Sequence, residues 1–158
     1  CCEEFEEYIP CQVTLTGIGK VEHLDNAGSV PVAPVGGVVS RQAYMLRIPL
    51  DFEYEKETVE GTYYEYILTD TIANIQIISL TAYDESHPAG TDVNELFMDY
   101  PLRQEDQLTD YKYGYMYGTV FYKIPRTLPQ AGVHRFKVVV TTCKGEEFTK
   151  ETDEITMQ

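Results

Sequence analysis

The sequence has few basic residues. Twelve lysines and arginines stand against 26 aspartates and glutamates, which leaves a formal net charge of −14. A surface of that sign repels phosphate backbones, so the composition argues against a nucleic-acid partner. Direct contact with anionic lipid headgroups is disfavoured for the same reason. The sequence also lacks any run of about 18 apolar residues, and we therefore expect no membrane-spanning helix.

Motifs that carry a defined chemistry are missing as well. The four cysteines do not form the paired C-x-x-C spacing of zinc sites, and His23, His87 and His134 are scattered along the chain. No serine lies in a G-x-S-x-G elbow, and no glycine-rich phosphate loop precedes a predicted helix. We therefore expect a protein that is not an enzyme and that uses no metal and no cofactor.

Alternation of side chains predicts a protein built from strands. Large apolar or aromatic residues occupy every second position from 44 to 54, with mostly polar residues between them: Tyr44, Leu46, Ile48, Leu50, Phe52 and Tyr54. A period of two is typical of a strand with one buried face. Pro49 cannot donate to a strand ladder, which predicts that this strand lies at a sheet edge or contains a bulge.

The rest of the chain repeats this pattern. Residues 136–140 and 147–150 flank Lys144-Gly145 and predict a hairpin. His134 shares the parity of Phe136, so we expect it to be partly buried. One short helix of two turns is predicted after Asp92. About eight strands joined by Gly, Pro, Asn and Asp turns predict an all-β fold, an antiparallel two-sheet sandwich. We assign it to residues 11–158, after an acidic N-terminal tether over residues 1–10.

A stripe of tyrosines is the strongest indication of a ligand-binding surface. Tyr111, Tyr113, Tyr115 and Tyr117 share one parity, so on a strand they would lie on one face. Tyrosine combines a flat apolar ring with a polar tip, and this suits contacts with sugars and with peptides. The same rings could instead form a cross-strand ladder or pack into the core.

The first seven residues, CCEEFEE, carry a resemblance to a known class of proteins. A cysteine at the first position resembles the mature start of a bacterial lipoprotein, and the acidic run is similar to the surface-export signal of Bacteroidetes-type lipoproteins. The resemblance implies that Cys1 is lipidated and that the protein lies at the cell surface, on the outer membrane. Its only membrane contact would then be the lipid anchor. The alternative is a solvated acidic tail.

Lipidation of Cys1 would leave an odd number of cysteines. A disulfide between Cys11 and Cys143 would join the first strand to a late one, and a disulfide between Cys2 and Cys11 would close a short loop. The sequence does not choose between these pairings, and four reduced thiols are the third alternative.

The end of the chain resembles the end of an immunoglobulin-like domain, because the alternating residues 132–138 are followed by a turn and a short strand. Trp is absent, and so is the intersheet cysteine spacing of antibody domains, so a transthyretin-like arrangement stays open. We expect a non-enzymatic surface lipoprotein that binds a glycan or an envelope protein. The alternative is a structural subunit of the pilus or adhesin type that assembles through its strand edges. A glycan hydrolase is a remote alternative, since the many acids could supply a carboxylate pair.

Overall fold

The computed structural model of the protein describes residues 8–100 and 119–158. Regular structure in these ranges is mainly strand, so the all-β prediction is confirmed. The strands are β1 (Ile9–Ile18), β2 (Glu22–Asp25), β3 (Val38–Val39), β4 (Tyr44–Tyr54), β5 (Tyr64–Leu68), β6 (Ile72–Ser79), β7 (Phe97–Asp99), β8 (Val120–Pro125), β9 (Gly132–His134), β10 (Phe136–Thr142), β11 (Glu147–Glu151) and β12 (Ile155–Met157). In the described part of the chain, no helix has the length and apolar character that a membrane span requires.

The described strands form three sheets. The largest has the order β5-β1-β4-β8-β7, with β2 also paired to β4. One of the sheets is curled into a half-barrel. The second has the order β11-β10-β6 and the third β3-β12-β9. Two pairings are parallel, β1 with β5 and β12 with β3, so the prediction of a purely antiparallel arrangement is wrong. The described ranges alone contain twelve strands, more than the predicted number, because several have only two to four residues, too few to show alternation.

β4 is the strand around which the large sheet is built, and its bounds are those predicted from alternation. On one edge of β4, β2 pairs with the first half of the strand and β1 with the second half. On the other edge of β4, the partner is β8. Pro49 lies between the part of β4 that pairs with β1 and the part that pairs with β2. The Gly19 N–H donates to the Pro49 carbonyl at 2.8 Å. Since the N–H and C=O of a residue point to the same neighbouring strand, the missing N–H of Pro49 faces this junction. Of the two predicted alternatives, an edge position is therefore wrong because β4 is paired on both sides, and the register shift beside β4 lies in β1, between Leu15 and Gly17, rather than at Pro49.

The predicted hairpin is confirmed, because β10 pairs antiparallel with β11 around the turn at Lys144-Gly145. Gly145 has a φ of 92°, a left-handed conformation that side chains other than glycine rarely adopt. β1 begins at Ile9, so strand structure starts inside the segment that the sequence assigned to a tether.

The short helix predicted after Asp92 is absent, and a single 3-10 turn over Asn94–Leu96 takes its place. The carboxylate of Asp92 accepts the N–H of Asn94 at 3.0 Å and that of Ile77 at 3.2 Å, so it starts this turn and also ties it to β6. Phe97 follows at once as a buried residue of β7, opposite Pro125 on β8. Strand pairing and burial of Phe97 therefore end the turn before a helix can develop.

One hydrophobic cluster contains inner-face residues of all three sheets. The Phe136 ring lies at its centre, with centroids 6.0 Å from Tyr44, 6.4 Å from Tyr83 and 5.9 Å from Phe97. Tilted and edge-on contacts at these distances stabilise the core beyond the burial of apolar area. The buried Tyr83 is also satisfied as a polar group, because its hydroxyl donates to the Thr127 carbonyl at 2.6 Å.

Two histidines border this core in the neutral form. His134 is fully buried, beyond the partial burial that its parity predicts, and its Nε2 donates to the Gln130 carbonyl at 2.6 Å. Nε2 of His23 donates to the Asp153 carbonyl at 2.7 Å, so Nδ1 is left to accept the Tyr44 hydroxyl at 2.6 Å. Burial lowers the pKa of both His23 and His134, because the charged form would lose its water.

Replacing Phe136 with alanine is expected to lower the free energy of unfolding by about 3–5 kcal/mol, because it removes the ring that joins the three sheets. Val133→Ala is the matched control, since this side chain on β9 is 48% exposed, and a change below about 0.5 kcal/mol is expected. Urea unfolding followed by circular dichroism measures both. Equal losses for the two variants would contradict the central position of Phe136.

The stability of the fold is expected to decrease as the pH falls below about 6.5. The unfolded histidines then bind protons that the folded protein cannot bind at its lowered pKa values, so the free energy of unfolding is highest above this pH and decreases below it. Thermal melts across the interval from neutral to mildly acidic pH measure the effect. A melting temperature that stays constant across this interval would contradict the neutral histidine network.

Candidate functional site

The site residues predicted from the sequence divide into two groups. Cys1 and the stripe Tyr111, Tyr113, Tyr115 and Tyr117 lie outside the residues that the structure describes. Cys11 and Cys143 lie within them, Cys11 buried on β1 and Cys143 exposed in the turn after β10. Both are free thiols, and Cys143 accepts a hydrogen bond from the Thr71 hydroxyl at 3.0 Å. Within the described ranges, the structure therefore contains no disulfide between Cys11 and Cys143.

Tyrosines cover one end of the large sheet. Strand pairing places Tyr54 of β4 opposite Val13 and Tyr66 of β5 opposite Cys11, both on β1. Paired residues share a face of the sheet, and both Val13 and Cys11 are buried, so the two tyrosines project from the inner face. The core ends at this point, since Tyr54 is 42% exposed.

These rings are held in a fixed arrangement. Tyr54 meets Tyr66 edge-on at a centroid distance of 5.5 Å, and Tyr64 stacks on Tyr66 at 6.0 Å. The hydroxyl of Tyr64 accepts the N–H of Val59 at 3.1 Å and donates to the Glu57 carbonyl at 3.2 Å. Tyr64 therefore ties the loop after β4 to β5, and the aromatic row is ordered before any ligand arrives.

An open cleft of about 870 Å³ lies beside this row, and we name it the tyrosine cleft. Its lining residues are Phe52, Glu53, Tyr54, Glu55, Lys56, Glu57, Thr58 and Tyr66. Clefts of this volume hold drug-sized molecules or short stretches of a polymer. The tyrosine cleft is therefore large enough to be a binding site.

Neutral phenols and acidic residues together set the chemistry of the tyrosine cleft. Partial burial raises the pKa of both Tyr54 and Tyr66, and the neighbouring tyrosine and thiol groups raise it further, so both phenols are neutral near neutral pH. Their hydroxyls have no hydrogen-bond partner in the described residues, and they are available to a ligand. Of the charged groups, the Glu55 carboxylate accepts the Gln12 N–H at 3.0 Å, and the Lys56 ammonium donates to the Pro10 carbonyl at 2.6 Å.

Exposed apolar side chains concentrate at the same end of the sheet. Among the twelve large hydrophobic residues that are exposed in the described ranges, five lie here: Tyr8, Ile9, Tyr54, Val59 and Tyr63. The rings of Tyr8 and Tyr63 are in contact on the opposite, outer face, at a centroid distance of 5.7 Å. Such a concentration of exposed apolar groups marks interaction surfaces in soluble domains.

A second cavity of about 280 Å³ lies beside His23, but the ring nitrogens of this histidine are not free to take part in a reaction. It is lined by the segments 20–23 and 153–155 and by Ala33, Pro34 and Gly37. Both ring nitrogens of His23 are engaged, one with Asp153 and one with Tyr44, so neither is available as a general base. Within residues 8–100 and 119–158, no three or more His, Cys, Asp or Glu side chains are grouped as a metal site would require.

The tyrosine cleft is not among the predicted sites, although the sequence holds a signal for it. Aromatic residues alternate with acids in Phe52-Glu53-Tyr54-Glu55, and again in Tyr64-Glu65-Tyr66. We interpreted the first alternation only as a half-buried strand. The parallel pairing of β1 with β5, which brings the two segments to one sheet end, has no local signature in the sequence.

The fold and the site define an all-β domain with an open aromatic cleft. A family model described as "Domain of unknown function (DUF5034)" matches residues 18–153, and the chain belongs to this family. The matched range contains every residue that lines the tyrosine cleft. No curated protein and no solved structure matches the chain.

Tyr66→Ala is expected to make the buried Cys11 thiol reactive, because Tyr66 is its partner across the β1–β5 pair. Labelling the native protein with a thiol reagent, followed by peptide mass mapping, separates Cys11 from the exposed Cys143. The matched control is Tyr63→Ala, which removes a ring on the outer face and should leave Cys11 protected. Labelling of Cys11 at the wild-type rate in Tyr66→Ala would show that Tyr66 does not cover it.

Proposed function

We propose that the protein is a non-enzymatic binding module and that the tyrosine cleft contacts its ligand. The observation that carries this proposal is the row formed by Tyr54, Tyr64 and Tyr66 on paired strands, in which Tyr54 and Tyr66 line an open cleft. Rigid aromatic side chains lose little conformational entropy on binding, and they supply both apolar area and hydrogen-bonding groups. The ligand is a glycan or an envelope protein.

The position of the row on strands supports the proposal. Tyr54 ends β4, which pairs with strands on both of its edges, and Tyr66 lies within β5, beside β1. A site on paired strands keeps its geometry when the ligand is absent, so less binding energy is spent on ordering it. The fold itself we propose to be an immunoglobulin-like or transthyretin-like sandwich, supported by the contact between β1 and β11 across the shared core.

For the location, we propose a cell-surface lipoprotein of the Bacteroidetes type that is anchored to the outer membrane through Cys1. Support comes from the acidic run after the first cysteine and from the net charge of −14. An acidic surface is repelled by anionic headgroups, so a covalent lipid is the form of attachment that this composition allows.

A structural subunit is the second candidate, and one observation favours it. In the described residues, β5 pairs only with β1, and an edge strand of this kind is where strand addition takes place. Assembly through this edge would bury Tyr64 and Tyr66 between subunits. Light scattering of the purified domain separates the two proposals, because a strict monomer argues against assembly.

Binding to glycan and peptide arrays tests the proposed function. The wild-type protein is expected to give signals that the double variant Tyr54→Ala/Tyr66→Ala loses, because that variant removes two rings that line the cleft. The control Val30→Ala/Val133→Ala removes exposed apolar side chains elsewhere and should bind like the wild type. The triple variant Tyr113→Ala/Tyr115→Ala/Tyr117→Ala tests separately whether the predicted stripe contributes to binding. Signals that are equal for the wild type and the cleft variant would refute a role for the cleft.

A further inference from the structure

We propose that the tyrosine cleft recognises an extended polypeptide segment that carries arginine or lysine side chains. This inference rests on the function proposed above and names the class of its ligand. Three features of the described residues support it: the exposed ring of Tyr54 beside the half-buried Tyr66, the sign of the surrounding charge and the neighbouring strand edge.

The aromatic rings form a receptor for cations. A tyrosine ring is negative on its face, so it attracts an ammonium or guanidinium group placed over it. Tyr54 and Tyr66 meet edge-on rather than face to face, at an interplanar angle of 79°. The edge-on contact occupies a face of only one of the two rings, and a flat guanidinium group can stack on the face of the 42% exposed Tyr54.

The charges around the rings favour the same ligand. Glu53, Glu55 and Glu57 line the cleft, whereas Lys56 is the one basic residue among the lining side chains. The Lys56 ammonium already donates to the Pro10 carbonyl at 2.6 Å. The cleft is therefore negative, as is the chain as a whole, and a cationic side chain gains electrostatic energy on approach.

The strand edge favours a polypeptide over a glycan. Tyr64 and Tyr66 belong to β5, whose outer edge is not paired in the part of the chain that the structure describes. An extended peptide can form main-chain hydrogen bonds along such an edge while its alternate side chains reach the aromatic row. A neutral sugar could stack on the rings, but it would use neither the edge nor the negative charge.

A labelled peptide of alternating arginine and threonine tests the inference in fluorescence polarisation with the full chain. We expect it to bind, and we expect the same peptide with citrulline, a neutral analogue of arginine, to bind about tenfold more weakly, since each cation–aromatic contact at an exposed site contributes a few-fold in affinity. Raising the salt concentration should weaken the binding of the arginine peptide and leave the binding of the citrulline peptide little changed.

Variants assign the effect to the cleft. Tyr54→Leu/Tyr66→Leu keeps apolar bulk over Cys11 but removes the aromatic faces, and a loss of about tenfold is expected for the arginine peptide. The double variant Glu53→Gln/Glu57→Gln should bind the arginine peptide about threefold more weakly. The matched control Glu85→Gln/Glu95→Gln removes the same charge from the exposed loop before β7 and should leave the affinity unchanged.

Three outcomes would overturn the inference, and they are distinguishable from one another. Equal binding of the arginine and citrulline peptides, or equal losses in the cleft and control glutamine variants, would remove the cation requirement. Binding of cellohexaose or mannohexaose that depends on Tyr54 and Tyr66, without binding of the arginine peptide, would replace the peptide with a glycan and keep the proposed function. If no probe shows binding that depends on these two tyrosines, the proposed function is refuted as well.

Discussion

The pairing of β4 with three other strands determines where everything else in the large sheet lies. β1 and β2 share one of its edges, and β8 occupies the other. The change from β1 to β2 takes place at Pro49, the one position of β4 that has no N–H to donate. A residue with an N–H at this point would present an unpaired donor to the junction, so the proline suits the place where two strands meet.

The inner face of β4 then serves two purposes along its length. Its first half supplies Tyr44, Leu46 and Ile48 to the core, where Tyr44 is also the donor to His23. Beyond Leu50 burial decreases, since Phe52 packs only partly against the core and Tyr54 is 42% exposed, and both line the open cleft. One period-two pattern therefore builds both the stable centre and the candidate site, and the degree of burial separates them.

The sequence was sufficient for the local structure and insufficient for the site. Alternation located β4 and the hairpin of β10 and β11, because these signals lie within a few neighbouring residues. The position of Pro49 in the sheet was not predicted correctly. A proline lacks the same ladder hydrogen bond at a sheet edge and at a junction between two partner strands, so the two positions look alike in the sequence. The cleft depends on the parallel pairing of β1 with β5 across about fifty residues of sequence, and long-range pairing of this kind leaves no periodicity to detect.

β1 starts at Ile9, and Ile9 is the partner of Tyr64, beside the tyrosine cleft. This pairing is parallel and joins the first residue of β1 to the first residue of β5, so a force on the chain before Ile9 would reach the strand that carries Tyr64 and Tyr66 directly. A ligand bound at the tyrosine cleft and a load on the chain before β1 would therefore act on the same pair of strands.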